Sequence, residues 1–544
     1  MTLIRPALIL LSIGLLWPCV PSGPVKWLPF LAMAPFALTL KKVTPITGFL
    51  TGWFFGSLIW VLSIWSLANG FETMLDWDRA PALALLLFYC LFQGLPYALL
   101  GMVSGWMERR GRPAGPLFSA SLLTLLIYLR PAVIPGSPAV TLYSWAPAIQ
   151  IADLGGVHLV LFVLLLSNWL IADAITCYRR TYQALARLSL LAIMLICVFG
   201  YGNWRIHHFQ ELGRNASQHE FLTVASVQPN IPIKGFQGLD TKGPYVGATG
   251  AMVRITEKIA ETPEKTDLIL WPEVPCTVAC NCDDFRLAGV QRVSACAGAP
   301  IMVSCVEHDY GKNLPVTRTR VDKHGLRASL TTRRVAAMYN SVWLVDPDQC
   351  KKAHRKIKLV PFGERTPFQE YWPWLKKQIG RQLEYSPGRT PSLITLERGG
   401  RVQPLICYEG GYPELTRQGM AMGADMFVNV ADDAWFGATR ASELHLGVTL
   451  FRSVEFRRPL VRCTNSGFGA HVTATGAIVP GSLTPADERT YRRFRMHCPR
   501  GEKSPYSHIG DIWLWLLCLF TVICMARVQL GPLSLQKQPG PGLD

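Results

Sequence analysis

Residues 401–407 read RVQPLIC, an apolar run that ends in a thiol, and Tyr408, Glu409 and two glycines follow. Inside such a run a cysteine serves as a small buried hydrophobe. At its tip, Cys407 is placed for chemistry. A thiol becomes a good nucleophile when a base takes its proton or nearby positive charge lowers its pKa. Two other strand-like runs end in residues suited to help. Leu268-Ile-Leu-Trp-Pro-Glu273 closes on a carboxylate, which can take a proton and return it to a leaving group. Lys356-Ile-Lys358-Leu-Val-Pro-Phe-Gly-Glu364 offers an ammonium able to stabilise the oxyanion of a tetrahedral intermediate. Taken singly, Glu273 reads as a solvated loop carboxylate. Lys356 reads as part of a basic turn with Lys351, Lys352 and Arg355. Taken together, Glu, Lys and Cys at separate strand ends supply base, oxyanion stabiliser and nucleophile for acyl transfer.

The elements that must position them lie in the middle of the chain. From about residue 205 to 508 the composition is that of a globular domain, long enough to bury its own core. β-Branched runs bounded by Pro, Gly, Asn or Asp predict strands at 221–228, 267–271, 300–305, 341–346, 403–407, 426–430, 459–464 and 471–479. Helical patterns fall at 247–259, 284–296, 412–422 and 441–456. Strands mixed with helices predict a layered α/β domain.

Both ends of the chain are different in kind. Half of the 544 residues are hydrophobic, and charged residues are 17%, below the soluble norm of roughly 25%. Apolar segments at 3–20, 27–40, 46–67, 82–107, 117–133, 157–177, 188–204 and 512–528 predict about eight membrane helices. The second is short and could be re-entrant. The first resembles a signal peptide without a clear cleavage site and is read as an uncleaved helix. Lys41-Lys42, the arginines of 108–112, and Arg179, Arg180 and Arg187 fall in alternate loops, whereas Glu72, Asp76, Asp78 and Asp153 occupy the others. The positive-inside rule then puts the N-terminus in the cytoplasm and the middle domain outside. The expected division is a membrane bundle at 1–204, the domain at 205–508, a last membrane helix at 509–528 and a disordered cytoplasmic tail at 529–544. The formal charge of +17 is scattered rather than blocked, which argues against nucleic acid as a partner.

Of 15 cysteines, nine fall in the middle domain: Cys276, Cys280, Cys282, Cys296, Cys305, Cys350, Cys407, Cys463 and Cys498. An outer compartment is oxidising, so some should pair, and an odd number leaves at least one unpaired. The cluster at Cys276, Cys280 and Cys282 matches no usual zinc spacing and has no paired His, so local disulfides are expected there and no metal.

Six motifs occur in order: Trp271-Pro-Glu273, Lys356-x-x-Leu-Val-Pro-Phe-Gly-Glu364, Cys407-Tyr408-Glu409, Asp433-Ala-Trp-Phe-Gly437, Arg452-x-x-Glu455-x-x-Arg458-Pro459 and Thr464-Asn465-x-Gly467. In this order, with membrane helices on both sides, they resemble the nitrilase-like domain of the bacterial apolipoprotein N-acyltransferases. Those are membrane-embedded members of the nitrilase, or carbon-nitrogen hydrolase, superfamily. The resemblance implies an αββα sandwich on a membrane bundle in the bacterial inner membrane, with the catalytic domain facing the periplasm. It implies Cys407 as nucleophile, Glu273 as general base, Lys356 as oxyanion stabiliser and Glu364 as a second active-site glutamate. Tyr408 and Glu409 match positions beside the nucleophile. The implied reaction is ping-pong. An acyl chain passes from a phospholipid to the thiol, then from the thioester to the α-amino group of a diacylglyceryl-cysteine that begins an apolipoprotein. No cofactor is needed, because a thioester is reactive enough for an amine. Trp435 and Phe436 read either as a lid or lipid-facing loop or as a core aromatic pair. Phe236 is the nearest aromatic after Val227-Gln228, where the family often carries a lipid-contacting Trp. Asp432 and Ser466 stand where the family usually has Asn. Two alternatives keep the same domain: a membrane-tethered amidase acting on a small C–N substrate, and a non-catalytic nitrilase-like membrane protein.

Overall fold

The computed structural model describes residues 4–17, 25–75, 77–132, 135–231, 247–273, 285–309, 315–321, 327–333, 336–366, 371, 384–397, 399–437 and 439–530. Phe236 and the cluster Cys276, Cys280 and Cys282 lie outside them, as does most of the C-terminal tail.

Strands β1 (Phe221–Gln228), β2 (Leu268–Leu270) and β3 (Ile301–Asp309) run parallel. The β4–β5 hairpin (Pro315–Val321, Arg327–Arg333) stands apart from the main sheets. β6 (Ala337–Val345), β7 (Cys350–Arg355) and β13 (Thr490–His497) complete a six-stranded sheet in the order β13-β1-β2-β3-β6-β7. A second sheet has the order β12-β11-β10-β9-β8, from β8 (Ile394–Thr395), β9 (Arg401–Ile406), β10 (Met426–Ala431), β11 (Leu460–Thr464) and β12 (Ala470–Val472).

Alternation along the strands builds the layers. In β2, Leu268 and Leu270 join Val428, Val430 and Val461 in one core between the sheets, whereas Ile269 and Trp271 point the other way. That outer face is covered by the helices Gly247–Ala260 and Phe285–Ala297. Helices Pro413–Met422 and Arg440–Phe456 cover the second sheet, giving four αββα layers. The expected strand at 471–479 is a correction. β12 stops at Val472, and the chain turns at Thr473–Gly476 so that Ile478 bridges back to Val472. Gly476 sits at φ +75°, a conformation that glycine adopts without steric cost and that a continuous strand excludes.

The fourth layer does not end at solvent. The helix Arg440–Phe456 is buried along nearly its whole length, because the membrane bundle packs on its far side in the same apolar core. Among the described residues five helices are long and apolar enough to cross a membrane: Pro45–Ile64, Arg79–Arg109, Ala152–Thr176, Thr181–Asn215 and Ile512–Leu530. The segments Ile4–Leu16, Pro29–Thr39 and Pro116–Leu129 are shorter apolar helices. Pro45–Ile64 packs on Leu95–Arg109 through glycine. A Cβ on Gly48 would collide with the Gly101 carbonyl, and one on Gly52 with that of Tyr97. In an apolar medium such backbone approach supplies the packing that hydrophobic drive cannot. The helix Thr181–Asn215 continues past Trp204, where the domain was expected to begin.

The basic loops gather at one end of the bundle. Lys41 and Arg187 both pair with Asp173, each at 3.1 Å, and Arg112 donates to the Arg527 carbonyl at 2.7 Å. Asp173 and Asp153 lie towards opposite ends of the segment Ala152–Thr176, whose backbone breaks at Gly155–Gly156; from Val157 after the break, Asp173 is about 24 Å along the helix at 1.5 Å per residue. Asp153 contacts the αββα layers, so the basic end lies away from them.

Candidate active site

β9 ends at Ile406, and Cys407 follows with φ +50° at the head of a short turn through Gly411. A left-handed non-glycine residue is costly and persists only where its surroundings hold it. Two sets of contacts hold it here. Asn429, from β10, donates Nδ2–H to the Cys407 carbonyl at 3.0 Å, and Arg462 of β11 donates to Asn429 in turn. Glu409 is fully buried and accepts from Ile406 N at 2.8 Å, Ile357 N at 2.6 Å and His354 Nε2 at 3.0 Å. Glu409 therefore turns away from the neighbouring thiol and clamps the Cys407 turn to the segment that carries Lys356. Burial opposes its charge, but His354 and the backbone N–H groups outweigh it and hold its pKa below the usual carboxylate range.

The strand ends bring three sequence-distant residues to the thiol. Glu273 follows β2 and lies close enough to the Cys407 thiol to oppose its ionisation. Lys356 follows β7, is 1% exposed, and donates Nζ–H to Glu273 Oε1 at 3.1 Å and to Glu364 Oε1 at 2.8 Å. Glu364 is turned inward by a tight loop whose Val360 N–H donates to its Oε2 at 2.8 Å. Burial first, and then the Glu273 carboxylate, push the Cys407 pKa well above the ordinary thiol value, although Lys356 opposes them. The resting group is a thiol, so its proton must pass to a base as it attacks. Burial works against the charge of Lys356, but the Glu273 and Glu364 carboxylates prevail and keep it a cation.

Asn340, from β6, is a participant that motif reading missed. Its Nδ2 donates to Glu273 Oε1 at 2.7 Å and to Glu364 Oε1 at 2.9 Å, parallel to Lys356. It lies in no motif, and only pairing of β6 with β3 and β7 brings it in. His354 was missed for the same reason.

These groups open into a cavity of ≈ 340 Å³ whose wall comes from both halves of the molecule. Ile64, Leu67 and Phe71 of the bundle face Cys407, Trp435, Phe436 and Val448 of the domain. Tyr408 donates to the Ala132 carbonyl at 3.4 Å and hydrogen-bonds Tyr412. Trp435 and Phe436 are half-buried and line this cavity instead of the interior of the domain. Their loop is tied to the bundle: Ser66 and Thr439 hydroxyls lie 2.9 Å apart, and the Arg440 guanidinium lies 3.9 Å over the Trp17 ring. Below it, Asp433 is held well under the usual carboxylate range, because Arg462 and His445 outweigh its burial.

Cys296, Cys407, Cys463 and Cys498 are free thiols, and Cys276, Cys280 and Cys282, where local disulfides were expected, lie outside the described residues. Among the described residues no cluster of His, Cys, Asp and Glu could hold a metal.

The carbon-nitrogen hydrolase family model matches residues 223–498, and the model of the apolipoprotein N-acyltransferase N-terminal domain matches residues 13–170. Among curated proteins, one named apolipoprotein N-acyltransferase from Geobacter metallireducens is 28% identical over 95% of this chain and 94% of its own length. Others of that name are 29% identical in Bdellovibrio bacteriovorus, over 81% and 78%, and 27% identical in Azotobacter vinelandii, over 99% and 97%.

Proposed function

This chain belongs to the carbon-nitrogen hydrolase family, and we propose that it uses the family's fold as a lipid acyltransferase. It is an apolipoprotein N-acyltransferase, moving a fatty acyl chain from a phospholipid to the α-amino group of an apolipoprotein's diacylglyceryl-cysteine. The observation that carries this reading is the composite cavity: a half-buried thiol opens onto apolar side chains of a membrane bundle. An acyl chain drawn from the bilayer suits such a wall, whereas a small soluble amide has no use for it. A membrane-tethered amidase would need the same catalytic groups and leaves that wall unexplained.

The steps follow from the groups in place. Glu273 takes the Cys407 proton as sulfur attacks the ester carbonyl, and Lys356 stabilises the oxyanion. The C–O bond breaks, Glu273 protonates the departing glycerol oxygen, and a lysophospholipid leaves. The acceptor amine then attacks the thioester, and the sulfur departs as a thiol. Glu364 and Asn340 hold Glu273 and Lys356 in register. Tyr408 and the Trp435–Phe436 loop bound the acyl chain and keep water from the thioester. No cofactor takes part.

The eight apolar helices cross the membrane, counting the three shorter ones, with the domain on the periplasmic side of the inner membrane. The basic end of the bundle, lying away from the domain, supports this orientation. The working division remains 1–204, 205–508, 509–528 and 529–544, with the last helix before the domain running on to Asn215.

The deciding experiment incubates purified protein with a labelled phospholipid and seeks an acyl adduct on Cys407 by intact mass. An adduct that Cys407→Ala lacks and a diacylated lipopeptide discharges supports the reading. Turnover of a soluble amide with no adduct from any phospholipid would replace it with the amidase. A reporter fused after Asn215 should be active only outside the cytoplasm; a cytoplasmic signal reverses the orientation.

A further inference from the structure

One carboxyl of the cavity has no part in the steps above. Asp432 follows β10, is 3% exposed, and lines the cavity with Cys407 and Glu273. Its Oδ1 accepts from Ala434 N at 2.9 Å and Asn465 Nδ2 at 3.1 Å, which closes the local turn and ties it to β11. Its Oδ2 is equally buried and has no hydrogen-bond partner among the described residues. A buried polar atom left open costs free energy until something completes it. The turn does not need Oδ2, because a side-chain amide would supply the same Oδ1 contacts.

The groups around Asp432 decide what could complete it. Glu273 faces it from the end of β2, Asp433 follows it in sequence, and Asn465 approaches from the end of β11 without charge. Asp433 already satisfies Arg462 and His445, so neither serves as a counter-ion for Asp432. Lys356, across the cavity, serves Glu273 and Glu364, so Asp432 keeps an unfilled acceptor oxygen beside two carboxylates, which suits a cationic N–H donor.

Resting on the acyl-transfer reading, we propose that Asp432 is a further catalytic residue of the second half-reaction: its Oδ2 receives the α-ammonium of the acyl acceptor and takes one proton from it. The exchange balances. The ammonium and the Asp432 carboxylate become a neutral amine and a carboxylic acid. The amine nitrogen bonds to the thioester carbonyl and loses a second proton to Glu273. The C–S bond breaks, and Glu273 returns that proton to the sulfur. Asp432 releases its own proton to solvent, leaving amide, Cys407 thiol and one proton. Burial, then the neighbouring carboxylates, push the Asp432 pKa up to about 8. An α-ammonium titrates at roughly the same value, so the transfer is nearly thermoneutral.

The test loads Cys407 from phosphatidylethanolamine micelles, then compares discharge by a diacylated lipopeptide with discharge by hydroxylamine, whose nitrogen is already neutral at pH 7. In Asp432→Asn the ratio of lipopeptide to hydroxylamine discharge should fall about tenfold at pH 7. The deficit should close towards pH 9, where the lipopeptide amine loses its proton unaided. An unchanged ratio, an equal loss with both nucleophiles, or a deficit independent of pH overturns the proposal. Failure of the unmutated protein to form any Cys407 adduct overturns the acyl-transfer reading itself, and this inference with it. A normal adduct with an unchanged ratio overturns the inference alone.

Discussion

Asp153 Oδ2 receives the Arg457 guanidinium twice, from Nη2 at 2.6 Å and from Nε at 2.9 Å, with both residues wholly buried. Asp153 lies just before the Gly155–Gly156 break that precedes a long apolar helix of the bundle, and Arg457 caps the helix Arg440–Phe456 of the domain at φ +53°. Arg205, from the helix leading into the domain, adds Nε to the same oxygen at 3.0 Å. Two cations and one carboxylate thus lock the bundle to the domain where no water can stand in for either.

Asp153→Ala should therefore destabilise the protein by about 3–5 kcal/mol, because it leaves two buried guanidiniums without their counter-charge. The melting temperature in detergent measures it. A loss no larger than that of Glu72→Ala, from an exposed pair, would contradict the lock.

The catalytic assignments predict separable kinetics. Glu273→Gln keeps a side chain able to bond Lys356 but cannot accept the thiol proton, so Cys407 acylation should slow by about 10²–10⁴. Lys356→Met should slow it by about 10²–10³ through loss of oxyanion stabilisation. Lys356→Arg should not restore it, since a planar guanidinium does not fit a fully buried site shaped for a point charge. Single-turnover acylation rates check all three, and near-normal rates for Glu273→Gln would remove it as the base.

Glu455 predicts a dependence of stability on pH. Burial, working against Arg452, raises its pKa from 4.5 to about 7. An acid whose folded pKa is raised contributes stability that is fully present below its unfolded pKa and is lost as pH rises through the folded one. Between pH 4.5 and about 7 the protein should thus lose on the order of 3 kcal/mol from this group. Melting curves of Glu455→Gln against the unmutated protein should diverge over that window; parallel curves would refute the linkage.

Val448→Trp would fill the cavity beside Phe436. Acylation from a long-chain phospholipid should fall at least about tenfold while a short-chain ester still acylates Cys407, since overpacking excludes bulk before it disturbs chemistry. Equal losses for both donors would place the acyl chain elsewhere.

Much of this was legible in the chain. Strand ends announced Glu273 and Cys407, because an apolar run that stops at a polar side chain marks a strand tip by itself; Lys356 stood out only through the motif around it. Period and composition placed β1 and the helix Arg440–Phe456 closely. β7 and β13 passed unnoticed, since their charged residues break the apolar pattern. Asn340 and His354 were silent because their partners lie in loops and turns far away in the sequence.

The sequence by itself thus determined the family of chemistry and which side chains could carry it, since residue types, strand ends and apolar spans are local properties. Only the tertiary structure decided their division of labour. Strand order set Glu273 against the Cys407 thiol and turned the adjacent Glu409 away to bind His354. Packing of the bundle on the domain then put membrane side chains in the wall of the catalytic cavity. Both outcomes depend on contacts between distant segments, whose energies no single stretch of chain contains.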